Sequence, residues 1–146
     1  MNRIAKLIAI AAALAAFGTA AQAAPAVSLD SAVFVERAAP AGRSLQPASD
    51  LIRGDRVVYV VRWYKMGGDG GFVVTNPLPR SVYYQGSANG DEEVSIDGGR
   101  TWGRLNALRV GSRVATPEDV THVRWRVDPR TASRGQGRIA YSAIVR

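Results

Sequence analysis

The chain has no cysteine, one histidine and two methionines among its 146 residues. The lack of cysteine excludes disulfides, thiol nucleophiles and zinc sites built on thiolates. His122 alone is too little for an imidazole metal set or for the paired chemistry of a nucleophile and its base. Lysine is almost as scarce: Lys6 and Lys65 stand against 17 arginines. No apolar run reaches the roughly 20 residues of a membrane-spanning helix, and no internal repeat is visible. What remains is 47% hydrophobic and 21% charged, the composition of one globular domain.

The first residues read as a targeting segment. Asn2, Arg3 and Lys6 make a short basic region, Leu7 to Phe17 an apolar run, and Ala21-Gln22-Ala23 a small-x-small cleavage pattern. This predicts a signal peptide over residues 1–23, cleavage after Ala23 and a periplasmic or extracellular protein, with no membrane span left after processing. No cysteine follows to carry a lipid. Removing Arg3 and Lys6 leaves 17 basic groups against 12 acidic ones, a charge of about +5 that attracts envelope polyanions. No basic run is interleaved with aromatics, so nucleic acid is not an expected partner. Without disulfides the fold relies on its core, which a domain of this size can supply by burying roughly two-thirds of its unfolded surface.

Beyond residue 23 the apolar residues recur with period two, and helical periods are missing. Val27, Leu29, Val33 and Val35 share one parity. Residues 39–49, rich in Pro, Gly and Ser, read as a loop or broken edge. Arg56 to Lys65 carries Val57, Tyr59, Val61 and Trp63 on one face and Val58 and Val60 on the other, which predicts a central strand. Further strands are expected over Phe72–Thr75, Ser81–Gln85, Glu93–Ile96, Thr101–Leu105, Thr121–Val127 and from Gly137 onward. Thr116-Pro117-Glu118-Asp119 reads as a single helical turn, with Thr as its cap and Pro at its first position. The expectation is all-β: an antiparallel β-sandwich of about 7–9 strands joined by Gly, Pro, Asn and Asp turns. Residues 24–48 would add a strand and loop to a main domain over 49–146.

One stretch resembles a known family. Gly54-Asp55-Arg56-Val57-Val58-Tyr59-Val60-Val61, then Val73-Val74-Thr75-Asn76-Pro77-Leu78-Pro79 and Val82-Tyr83-Tyr84-Gln85-Gly86-Ser87, are similar to successive strands of a repeat domain of bacterial surface and envelope proteins. That family is the eleventh in a series of domains of unknown function. The last strand, from Gly137 to Val145, resembles its terminal one, so the resemblance spans about Ser49 to Arg146. Asn76 stands where the family has Asp, and its Asn-x-Gly is missing around Tyr64-Lys65-Met66. The resemblance implies an immunoglobulin-like sandwich with an architectural or adhesive role, and brings no catalytic residues.

Ser95-Ile96-Asp97-Gly98-Gly99-Arg100-Thr101-Trp102 matches the Asp-box, Ser-x-Asp-x-Gly-x-Thr-Trp, at every specified position. Its chemistry is structural: Asp97 can accept backbone N–H bonds, Gly99 can take positive φ, and Trp102 can pack back over the turn. Sialidases carry the box once per blade, but a six-bladed propeller at about 40–45 residues a blade needs over twice this chain. His122 reads as a surface histidine. Asp91, Glu92, Glu93 and Asp97 offer oxygens to calcium, though their spacing fits no calcium loop and a solvated acidic turn is the simpler reading. No cofactor is expected. Arg62, Arg124 and Arg126 lie on parities opposite to Trp63 and Trp125 and are the candidate binding residues, as one basic stripe on an exposed sheet.

Two functions follow. The first is a non-enzymatic envelope protein with a structural, adhesive or assembly role, whose partner is an envelope polysaccharide or protein, with edge-strand pairing as one route. The second is a carbohydrate- or polyanion-binding module that uses the arginines or the Asp-box turn.

Overall fold

A computed structural model describes residues 26–146; the expected signal segment lies outside the described residues. The chain is all-β, with antiparallel sheets. Its first sheet holds five strands: β1 (Val27–Ala39), β2 (Gly42–Pro47), β3 (Arg56–Lys65), β5 (Val82–Ser87) and β10 (Gln136–Val145), in the order β2-β1-β3-β10-β5. A second sheet orders β4 (Phe72–Pro77), β9 (His122–Val127) and β6 (Glu93–Ser95) as β4-β9-β6. The two-residue strands β7 (Arg109–Val110) and β8 (Arg113–Val114) form a small hairpin, bringing the total to ten among the described residues. No helix among the described residues is long and apolar enough to cross a membrane.

The two larger sheets share one core. Val61, Trp63, Ile139 and Tyr141 from the first meet Val74, Val94, Val123, Trp125 and Val127 from the second. Tyr141 is its hub: its ring stacks on Tyr59 at 4.9 Å and lies 5.2 Å from Trp125. Burial pushes the Tyr141 phenol up to about 12, although Asn76 Nδ2, which donates to its oxygen at 2.6 Å, pulls the other way. β3 is central, as its two apolar faces require, with β1 on one side and β10 on the other. Opposite Trp63 on β10 stands Gly137, whose missing side chain leaves room for the indole.

Four expectations are narrowed or corrected. Residues 39–49, read as a loop or a broken edge, are an edge strand rather than a loop: Gly42–Pro47 pairs with Phe34–Ala39 around the turn Pro40-Ala41. Its proline causes no break because Pro47 ends an edge strand, where no ladder donor is needed. Thr101–Leu105 is not a strand beyond a single Val94–Gly103 bridge, since the Arg100 and Thr101 N–H groups are bonded to Asp97. A 3-10 turn follows at Leu105–Ala107. The strand count exceeds the expected range because of the β7–β8 pair, too short to show a periodicity. Finally, Leu29 and Val33 sit on the inward parity of β1 yet are 51% and 37% exposed, because the three-stranded sheet is too narrow to cover them. The expected turn at 116–119 is present, closed by Thr116 and Asp119 as a reciprocal capping box.

Candidate functional site

β6 ends at Ser95, which is fully buried, and the chain then turns through the Asp-box. Ser95 Oγ donates to Asp97 Oδ1 at 2.8 Å and accepts from the Gly99 N–H at 2.9 Å. Asp97 Oδ1 also accepts the N–H groups of Arg100 and Thr101, and Oδ2 accepts the Thr101 hydroxyl at 2.7 Å. These bonds, the Thr101 N–H first, hold the Asp97 carboxyl well below the usual carboxylate range. Gly99 has φ 88°, a region unfavourable to any side chain. Its carbonyl accepts from Trp102 Nε1 at 2.9 Å. Just before β9, Thr121 Oγ1 accepts the Gly98 N–H and donates to the Ser95 carbonyl, pinning the turn to the start of that strand. The box therefore spends its polar groups on its own turn.

The arginines do not form one stripe. Arg124 and Arg126 project outward from β9 in the second sheet, whereas Arg62 projects outward from β3 in the first. Parity separates inside from outside but does not tell which sheet a strand joins, so a shared outward parity does not put these arginines on one face. Arg124 is engaged: its Nε lies 2.7 Å from Glu93 Oε2 and its guanidinium sits 4.4 Å above the Trp102 ring. Arg126 reaches the same Glu93 oxygen at 3.1 Å. Glu93 is drawn down accordingly, by the Arg124 hydrogen bond above all. Arg62 instead stands directly across from Arg138 of β10, with Asp30 of β1 on its other side. Among the described residues neither Arg62 nor Arg138 enters an ion pair. A shallow cavity of about 360 Å³ lies over them, lined also by Tyr64 and Gln136.

The acidic loop is split in the same way. Glu93 faces the arginines, while Glu92 accepts the hydroxyls of Tyr84 and Ser87. Burial pushes Glu92 up, but those two hydroxyls outweigh it and its carboxyl ends below the ordinary value. Burial, and then Glu92 itself, push the Tyr84 phenol far up. No three His, Cys, Asp or Glu side chains among the described residues group closely enough to hold a metal ion. His122 is half-buried, its Nδ1 3.1 Å from Thr121 Oγ1 and its ring edge-on to Trp102.

Two features escaped the sequence. Arg138 alternates with Ile139 and so was visibly outward, but nothing local paired it with Arg62. Tyr84 and Glu92 of the Tyr84–Glu92–Ser87 cluster line a cavity of about 590 Å³ with Val94, Arg104 and Leu105, and no motif marks it. Compared with protein families, with characterised proteins and with solved structures, the chain matches none.

Proposed function

We propose that the chain is an exported, non-enzymatic β-sandwich of the immunoglobulin-like kind that serves the bacterial envelope as a structural, adhesive or assembly module. The observation that carries this reading is the uncovered start of β1, where Leu29 is exposed on a sheet edge unpaired among the described residues, with the exposed Val33 side chain beside it. Such edges are ordinarily blunted or covered, because they pair readily with another chain. The predicted signal peptide and the resemblance of residues 49–146 to an envelope repeat domain support the same placement. So does the state of the carboxylates: Glu36, Asp55, Glu93 and Asp119 are each held below the ordinary value by an arginine. That state suits fixing loops better than donating protons.

Arg62 and Arg138 favour a second reading, capture of an anionic polysaccharide. Like charges directly opposed on a sheet are unfavourable, and a polyanion would relieve them. Co-sedimentation of the exported protein with cell-wall sacculi and with outer-membrane vesicles, at low and high salt, tests both. Binding that persists at high salt supports the assembly role. Binding that vanishes at high salt, and in Arg62→Ser with Arg138→Ser, supports the polyanion instead. N-terminal sequencing that finds Met1 retained would sink export.

A further inference from the structure

We infer that the open edge of β1 is a docking strand for a second copy of this chain, paired antiparallel about a two-fold axis through Leu29. The inference rests on the assembly reading above. The Met66 N–H donates to the Ala26 carbonyl, which fixes the even residues of β1 as those bonded to β3. The Ala48 N–H donates to the Val33 carbonyl, which turns the odd residues toward β2. β2 begins its pairing at Phe34. Val27, Leu29 and Ser31 are therefore left with backbone donors and acceptors that meet no strand among the described residues.

Few registers satisfy them. With Leu29 opposite Leu29, Val27 falls opposite Ser31 and Ser28 opposite Asp30. All three open residues then form bonded pairs, with two hydrogen bonds in each. A one-residue shift toward the C-terminus sets Asp30 against Asp30, a like-charge pair, and asks for the Val33 carbonyl that Ala48 already holds. The Leu29 register also brings the two most exposed inward side chains of this edge together on the face the second sheet leaves bare. The pairing stops short of Val33 of the partner subunit, whose carbonyl Ala48 already holds. The result is a continuous sheet of twice five strands, closed by symmetry so that no further copy can add at that edge.

The lack of native cysteine makes the test direct. The exported protein, run over a concentration series by light scattering, is expected to rise from monomer to dimer. Leu29→Cys is expected to cross-link to itself on mild oxidation, since bonded antiparallel partners lie about 5.5 Å apart between Cα atoms. Asp30→Cys, facing Ser28 of the partner subunit, is not. Ser31→Pro removes a donor that points away from β3, so it is expected to weaken the dimer at least ~10-fold while the melting temperature of the dilute monomer stays unchanged. Self-linking of Asp30→Cys but not of Leu29→Cys overturns the register. A monomer at every concentration overturns the second copy. If that monomer still binds envelope fractions and Ser31→Pro abolishes the binding, the assembly role stands with a different partner; if the binding is also indifferent to Ser31→Pro, both fall.

Discussion

Replacing Gly137 by alanine tests the core at one atom. An ideal Cβ on Gly137 would lie 2.3 Å from Cζ2, 2.5 Å from Cε2 and 2.7 Å from Nε1 of Trp63. Carbon atoms rest at about 3.5–4.0 Å, so the indole would have to move by more than about 1 Å. Its movement is restricted, since it is 2% exposed and flanked by the Phe72 ring at 5.1 Å. The backbone itself accepts alanine, because Gly137 does not have positive φ, and the cost is therefore pure overpacking. Such insertions cost about 1–3 kcal/mol. At an m-value of about 2 kcal/mol/M, a loss of about 2 kcal/mol moves the urea midpoint down by about 1 M, read by far-UV circular dichroism. The same substitution in a Trp63→Phe background is expected to cost less, with a coupling of about 1 kcal/mol or more. Equal losses in the two backgrounds, or an unchanged midpoint, would refute the contact.

Trp125→Ala empties the centre of the core next to Tyr141 and is expected to cost about 3–5 kcal/mol in denaturant unfolding. Asp97→Asn leaves the shape of the box but removes a carboxylate held below its ordinary range. Its parent's contribution is present above the unfolded value near 4 and lost as pH falls, so the variant melts lower at pH 7 and the gap closes toward pH 2 in a thermal scan. At the alkaline end the sign reverses. With Tyr141 raised to about 12, the folded protein keeps a proton that the unfolded chain releases above about pH 10. Stability then falls by about 1.4 kcal/mol per pH unit between those values, and phenolate absorbance should rise together with unfolding.

Much of the fold was legible where one strand carries its own evidence. Val57, Tyr59, Val61 and Trp63 alternate with Val58 and Val60, and that doubly apolar pattern has one home, the middle of a sheet. Thr116 and Pro117 announce their turn because a cap and a first-position proline are adjacent in sequence. The Asp-box was likewise readable, since its bonds run between residues at most four apart, helped by Thr121 just before the neighbouring strand. What failed needs knowledge of partners. Whether Arg62 lies beside Arg124 or Arg138 depends on strand order. Leu29 has the parity of a core residue and misses the core only because the opposite sheet is narrow. The rigid fit of Gly137 under Trp63 joins residues far apart in sequence, and a glycine in a strand gives no sign of what covers it.

β10 closes the first sheet between β3 and β5, bonding to strands that end some 70 and 50 residues before it begins. A chain delivered N-terminus first thus holds β1, β2 and β3, in the spatial order β2-β1-β3, as an incomplete sheet until residue 145 arrives. Such distant pairing makes closure slow. Slow closure leaves unpaired strands exposed for longer, which is a hazard wherever chains are crowded. Loss of the final strand would part β5 from the rest of this sheet, because β10 stands between it and β3.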